Sequence, residues 1–89
     1  MAHLLIRHRV QDFAKWKAEY DGHRSVRVSA GLKDLDLWHN VDDAKEVFLL
    51  FEVADVAKAK AFVTSADLKQ TMTRAGVVGA PDISFLSGD

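Results

Sequence analysis

Three side chains in the first half of the sequence are suited to acid–base or charge-stabilising chemistry: His8, His23 and Arg27. Histidine titrates near physiological pH without help from its surroundings, so His8 or His23 is a candidate general base. The guanidinium of Arg27 is suited to binding a carboxylate or to stabilising an enolate or phenolate. We therefore predict these three as the catalytic residues, should the chain be an enzyme.

Two of these residues continue an aromatic stripe. Phe13, Trp16 and Tyr20 recur at steps of three and four, and His23 and Arg27 keep the same spacing, as expected for one face of a helix. A face packed on a dry core stays apolar, because burying an unpaired charge is costly. The change from aromatic to polar side chains therefore predicts a wetter cavity at that end of the helix.

Three aromatic residues are the predicted lining of this cavity: Trp16, Tyr20 and Trp38. We expect them to bind the substrate, with His8 on an inward strand face nearby. Core packing is the alternative role for Trp16 and Tyr20. A break at Gly22 would shift the phase of the stripe.

The candidate catalytic residues also have purely structural interpretations. His8 would then be a buried histidine bonded to a neighbour, and His23 would be exposed to solvent. Arg27 would form a salt bridge with Asp21 or Glu19. The sequence leaves both sets of roles open.

Two kinds of spacing predict the elements that position these side chains. Alternation of apolar and polar residues predicts strands, and the nearly unbroken apolar run Val47–Val53 predicts a strand buried on both faces. Pro81 is expected to precede the last strand. The predicted strands are 4–10, 32–41, 47–53 and 83–86, with polar turn residues at 40–45.

Helical spacing occupies the segments between these strands. Asp12 and Asp55 stand where an N-cap is expected, and Gly31 and Gly76 stand where a left-handed cap would end each helical region. Interruptions of the helical regions are expected at Gly22 and at Thr64–Ser65.

The two halves of the chain repeat one pattern, in which a strand leads into an Asp-capped helix. The motif V-x-D-x-A-K occurs at Val10–Lys15 and again at Val53–Lys58. Two such βαβ units interleave in the ferredoxin-like fold. We predict a single α+β domain over residues 1–89, of βαββαβ type, with a four-stranded antiparallel sheet in the order 4-1-3-2 and both helical regions on one face.

This arrangement leaves the other sheet face uncovered. Leu5, Phe48 and Leu50 are expected to point to it, and an exposed apolar patch of this kind marks an interface. We therefore predict a homodimer in which two sheets stack face to face.

Charged residues on the same face have two interpretations. Arg7 and Arg9 on the first strand are expected beside Glu52 on the third. A structural ion pair is the simpler reading. The alternative is an arginine pair that binds an anionic ligand inside the dimer.

Composition excludes several classes of protein. The chain has 89 residues, no cysteine and a formal net charge of -1, so it has neither disulfides nor a general attraction to nucleic acid or anionic membrane. No apolar run is long enough for a membrane span or a signal peptide. We expect a cytoplasmic protein with no metal, no cofactor, no nucleic acid and no membrane partner.

The sequence resembles the dimeric α+β barrel superfamily, in particular the small proteins described as antibiotic-biosynthesis-monooxygenase-like or cyclase-like. The residues that carry the resemblance are 7–17, 20–23, 30–31, 65–68 and 74–83. It implies a homodimer whose two sheets form a central barrel, with a pocket in each subunit between sheet and helices. It does not imply one reaction, because the superfamily hosts many.

Departures from the better-understood branches narrow the implied chemistry. Haem-degrading members use a histidine on the second helix and an asparagine on the first strand, and this chain has neither. Cofactor-free quinone-forming monooxygenases use an asparagine, a tryptophan and an arginine; Asn40, Trp38 and Arg27 are these residue types, without a match of positions. The cyclase branch uses an early and a late histidine, and His3 or His8 would supply only the first.

Two functions remain. The first is a cofactor-independent oxygenase, cyclase or isomerase acting on an aromatic or polyketide-like substrate, with a histidine as base and Arg27 stabilising the anion. The second is a non-catalytic small-molecule-binding or structural dimer. RNA binding, which the ferredoxin-like fold also supports, is disfavoured because the third strand Val47–Phe51 lacks the glycine and basic residue of that motif.

Overall fold

The computed structural model describes residues 2–88, which form one antiparallel sheet with helices packed on one face. The elements in chain order are β1 (Ala2–Val10), α1 (Phe13–Gly22), α2 (Arg24–Ser29), β2 (Leu32–Asn40), β3 (Asp43–Val53), α3 (Val56–Val63), α4 (Ala66–Arg74) and β4 (Val77–Ser87). None of the helices in this range is long and apolar enough to cross a membrane.

The sheet has the strand order β2-β3-β1-β4, with every neighbouring pair antiparallel. Read from the other edge, this is the predicted order 4-1-3-2. The ferredoxin-like βαββαβ fold predicted from the sequence is therefore confirmed.

The helices begin and end at the predicted signals. The carboxylate of Asp12 accepts a hydrogen bond from the Lys15 amide at 3.2 Å, and that of Asp55 accepts one from the Lys58 amide at 3.1 Å. Gly31 ends the first helical region with φ of 80°, a left-handed conformation that costs glycine little. Each helical region is divided in two near the expected positions, after Gly22 and after Val63.

The core lies between the helices and one sheet face. On β1 and β3 alternate residues point inward, and their largest fully buried members are Leu4, Val10, Val47 and Phe51. Trp16 from α1 covers them from the helical layer. The alternation predicted for β1 therefore places His8, between Leu4 and Val10, on the helix-facing side.

Strands β3 and β4 begin well before their predicted first residues. The turn between β2 and β3 contains only Val41 and Asp42, so β3 begins at Asp43 instead of residue 47. Strand β4 begins at Val77 and passes through Pro81. Because β4 is an edge strand, a missing amide hydrogen does not end it.

The predicted pairing of Arg7 and Arg9 with Glu52 is wrong. The antiparallel register places Glu52 opposite His3, at the other end of β1. The two arginines pair instead with acidic residues nearer to them. Arg7 contacts Glu46 at 3.5 Å and Asp82 at 2.9 Å, and Arg9 contacts Asp43 at 2.7 Å.

The two Asp caps provide a test of this account of the helix starts. Asp12→Ala and Asp55→Ala should each lower the free energy of unfolding by about 1 kcal/mol, because each leaves helical amides without an acceptor. Asp42→Ala, at an exposed turn residue, is the matched control and should change it little. Urea denaturation at pH 7 measures all three, and caps that cost no more than the control would contradict the assignment.

Candidate active site

A cavity of about 70 Å³ lies between the helix-facing side of the sheet and the helices. Its walls come from all four strands below and from α1, α2, α3 and α4 above. Five of the predicted site residues line it: His8, Trp16, Tyr20, His23 and Arg27. The structure therefore brings all three candidate catalytic residues and two of the three candidate binding residues together.

His8 occupies the sheet side of this cavity. Its side chain is buried, at 5% relative exposure, and neither ring nitrogen has a hydrogen-bond partner among the described residues. Burial lowers the pKa of His8 from 6.5 to about 4, because a dry site disfavours the charged imidazolium. The alternative of a histidine bonded to a neighbour is therefore wrong, and at neutral pH His8 is an uncharged imidazole.

Aromatic rings form the wall next to His8. His8 and Trp16 form an edge-to-face pair with ring centroids 5.3 Å apart. Trp16 in turn stacks on Tyr20, with centroids 4.9 Å apart. The helical spacing of residues 16 and 20 produces this stack. The result is a flat apolar surface beside one polar group.

Arg27 lies above the Tyr20 ring, with its guanidinium carbon 3.7 Å from the ring centroid. Its Nε and Nη2 donate to the two carboxylate oxygens of Asp34 at 3.2 and 3.1 Å, and its Nη1 donates to the Tyr20 carbonyl oxygen at 2.6 Å. The predicted alternative partners Asp21 and Glu19 bind other residues, Lys17 and Arg74.

This arrangement changes the role that we predicted for Arg27. Its side chain is 6% exposed and its charge is balanced by Asp34, so it is not a free cation at the rim of the cavity. The bidentate pair ties α2 to β2 and holds the Tyr20 ring in place. Burial, as the largest effect, raises the pKa of Tyr20 to about 12, so its hydroxyl keeps its proton at neutral pH.

His23 lies where α1 meets α2, at the edge of the cavity. Its ring stacks on Phe62 with centroids 5.9 Å apart, and its Nε2 is 3.7 Å from the Asp67 carboxylate. The side chain is 13% exposed, so the expectation of a solvent-exposed residue is wrong. His23 links the α1 side of the cavity to the α4 side.

Trp38 does not line the cavity, contrary to the prediction. It is opposite Phe48 on β3, on the sheet face that the helices leave uncovered, and is 48% exposed. A register shift between Asp34 and Asp36 explains this, because the bulge at Leu35 reverses the alternation. Asp34 lies before the bulge, two residues after the buried Leu32, so ordinary alternation places it on the inward side, where it meets Arg27. Asp34 was not among the partners predicted for Arg27.

The cavity thus offers an apolar aromatic wall and the uncharged imidazole of His8, with the side chains of Glu19 and His23 also on its lining. Neutral imidazole donates one hydrogen bond and accepts another, so it matches a neutral ligand with a hydroxyl group. Within residues 2–88 no cluster of three or more metal-ligating side chains is present.

The burial of His8 predicts a pH dependence of stability. Between pH 6.5 and 4 the unfolded chain binds a proton at His8 that the folded chain does not, so stability falls as the pH falls through this window. From the cited pKa values, His8 alone should cost about 2 kcal/mol between pH 7 and pH 5.

His8→Phe should remove about this much of the difference in unfolding free energy between the two pH values. His39→Gln, at an exposed histidine of the neighbouring sheet region, is the control and should retain it. Urea titrations at pH 7 and pH 5 decide the matter: a His8→Phe protein with the wild-type pH dependence would show that His8 is not buried uncharged.

Comparison with known proteins establishes the fold. No protein-family model and no curated protein matches the sequence, whereas many solved structures match the fold. A protein from Bordetella bronchiseptica described as an antibiotic biosynthesis monooxygenase has a TM-score of 0.80 and 16% identity, over 99% of this chain and 96% of that one.

Two further structures show the same likeness. SnoaB from Streptomyces nogalater, described as a cofactor-independent oxygenase, has a TM-score of 0.77 and 10% identity, over 99% of this chain and 92% of its own. An uncharacterised NIPSNAP domain protein from Burkholderia xenovorans has a TM-score of 0.69 and 10% identity, over 100% and 95%. At these identities the likeness concerns the fold, and this chain has the fold of the antibiotic biosynthesis monooxygenases, as the resemblance in its sequence predicted.

Proposed function

We propose that the chain binds a planar, uncharged, hydroxylated aromatic or polyketide-like molecule in the cavity and converts it without a cofactor, with His8 accepting the hydroxyl proton. One observation carries this proposal: His8 is buried beside the cavity with both ring nitrogens unpartnered among the described residues. A buried polar group without a partner costs about 1–3 kcal/mol, and such groups are rare in proteins. A ligand hydroxyl would remove this cost.

The cavity wall supports a planar ligand. The stacked rings of Trp16 and Tyr20 present an aromatic face, on which a second flat ring packs well. The cation of Arg27 is already neutralised by Asp34, so a carboxylated or phosphorylated ligand would find no free positive partner there. The favoured ligand is therefore neutral when it enters.

Proton transfer to His8 would leave the substrate as a phenolate or enolate beside an imidazolium. In an oxygenation, this anion would supply the electrons itself: a ring C–H carbon becomes a carbonyl, dioxygen provides its oxygen, and the second oxygen atom leaves as water. The fold likeness to SnoaB, described as a cofactor-independent oxygenase, supports this reaction over an isomerisation or cyclisation.

The second candidate function is binding without turnover, and the low pKa of His8 favours it. A simple phenol with a pKa of about 10 is six units less acidic than this imidazolium, a gap of about 8 kcal/mol before the two charges attract. Only a substrate more acidic than phenol, or one held close enough to His8 for strong ion pairing, would be deprotonated.

The role of His8 is tested with 1-naphthol, a planar hydroxylated probe. His8→Phe should weaken its binding about tenfold, because the hydroxyl loses its partner, and should abolish any oxygen uptake and 1,4-naphthoquinone formation. His39→Phe is the matched control. Calorimetric titration and an oxygen electrode give the two readings.

The two readings separate the two functions. If binding depends on His8 but no oxygen is consumed with 1-naphthol or with more acidic naphthols, the chain is a non-catalytic binder. Equal binding by wild type and His8→Phe would contradict the proposed site.

We also propose that the chain functions as a homodimer through the open face, defined here as the sheet face carrying Leu5, Trp38, Phe48, Leu50 and Leu86. These side chains are only partly buried in the single chain, and Trp38 and Leu86 are 48% and 45% exposed. Contiguous apolar surface of this kind marks an interface. A second copy of the same sheet would cover it with two-fold symmetry.

Leu50→Asp tests the dimer. It should convert the protein to a folded monomer, because pairing would bury two unmatched carboxylates at the centre of the interface. Val41→Asp, at a residue 95% exposed at the β2–β3 turn, is the control and should stay dimeric. Sedimentation velocity at micromolar concentration measures both, and a monomeric wild type would contradict the proposal.

A further inference from the structure

We propose that the ligand site has two parts: the cavity holds a planar hydroxylated head group, and an aliphatic chain of the same molecule passes Met72 into a groove between α4 and β4. This inference rests on the proposed function and names the shape of its substrate. The groove is lined by the end of α3, one side of α4 and the first half of β4, and has a volume of about 700 Å³.

The cavity by itself is too small for the substrate class. It measures about 70 Å³, whereas an engineered apolar cavity of about 150 Å³ binds benzene. Even a single aromatic ring therefore needs space that a neighbouring wall must yield. The substituents of any larger ligand must leave the cavity in some direction.

The groove lies directly behind one wall of the cavity. Met72, Pro81 and Ile83 line both spaces, so this wall is one side chain thick. Met72 is only partly buried, and methionine changes rotamer more readily than a branched or aromatic residue. Of the three shared residues, it is the one whose movement joins the two spaces without moving the sheet.

The backbone of β4 is shaped for this passage. Arg7 is paired with Asp82 and Arg9 with Val78, so three residues of β4 lie opposite the single residue His8. Gly79 in this bulge has a φ of 72°, which glycine adopts without strain. The edge strand therefore bulges at the level of His8, in the manner of bulges that border functional sites.

The chemistry of the groove fits an uncharged, flexible chain. Its apolar surface comes from Val63, Val77, Ala80 and the shared wall, its hydroxyl groups from serine and threonine, and its one charged lining residue is Lys69. An alkyl or reduced polyketide chain matches this surface better than a second aromatic ring system, because no aromatic side chain is among the described residues that line the groove.

The experiment compares phenol, which carries only the head group, with 4-hexylphenol. Each methylene group buried in the groove should tighten binding roughly fourfold, so 4-hexylphenol should bind wild type at least about 50-fold more tightly. Isothermal titration gives both constants.

Two variants block the proposed path. Ala80→Trp fills the groove at an exposed residue, and Met72→Trp fills the passage itself. Each variant should lower the ratio of the affinity for 4-hexylphenol to that for phenol by at least about tenfold, because the hexyl chain could then contact only the protein surface. Phenol binding to Ala80→Trp should stay unchanged. Ala57→Trp, at an exposed residue of α3 outside the groove, controls for nonspecific attraction to tryptophan, and circular dichroism confirms that each variant is folded.

The outcomes separate this inference from the proposed function. If phenol binds in a His8-dependent manner but the hexyl chain adds nothing, or its gain survives in Ala80→Trp, the two-part site is wrong and the proposed function stands. If wild type binds neither compound, both fail. If the hexyl gain is lost in Ala80→Trp and kept in Ala57→Trp, the two-part site is supported.

Discussion

The bidentate pair between Arg27 and Asp34 is the interaction on which the site depends. A guanidinium this deeply buried is tolerated only with a matched carboxylate, here the partly exposed one of Asp34. The same guanidinium lies on the Tyr20 ring, which stacks on Trp16, whose ring contacts His8. One ion pair between α2 and β2 thus orients the polar group of the cavity through two aromatic rings.

This construction has a consequence for the chemistry. Asp34 balances the positive charge of Arg27, and Arg74 balances the negative charge of Glu19. Burial keeps His8 uncharged, so the cavity is close to neutral. A neutral cavity admits neutral molecules. An anion formed inside it would be stabilised chiefly by the positive charge of His8 after that residue has accepted the proton. The selectivity for uncharged substrates and the limited basicity of His8 therefore have the same physical cause, a buried cavity without free charge.

Much of the fold, and part of the site, follows from local sequence signals. Period-two alternation in β1 predicts that His8 points to the helices, and the Asp caps and glycines predict the helix bounds. The misplaced residue of β2 is Trp38: the bulge at Leu35 reverses the alternation that places Leu32 and Asp34 inward, so Trp38 points outward. A bulge depends on pairing with β3, which is a long-range contact, so alternation within β2 alone could not reveal it. The wrong partner for Arg7 and Arg9 arose in the same way, from an assumed register.

The repeat within the chain explains where the cavity comes from. The two halves share an Asp-capped start, and four residues after each cap a side chain is buried against the sheet: Trp16 in the first half and Ala59 in the second. Two residues before each repeated valine, His8 in the first half corresponds to Phe51 in the second. The two halves have similar backbones but side chains of unequal volume. They cannot both fill the space between helices and sheet, since close packing requires matched volumes. The first half thus supplies the polar and aromatic groups, and the small residues and bulged strand of the second half leave the room beside them.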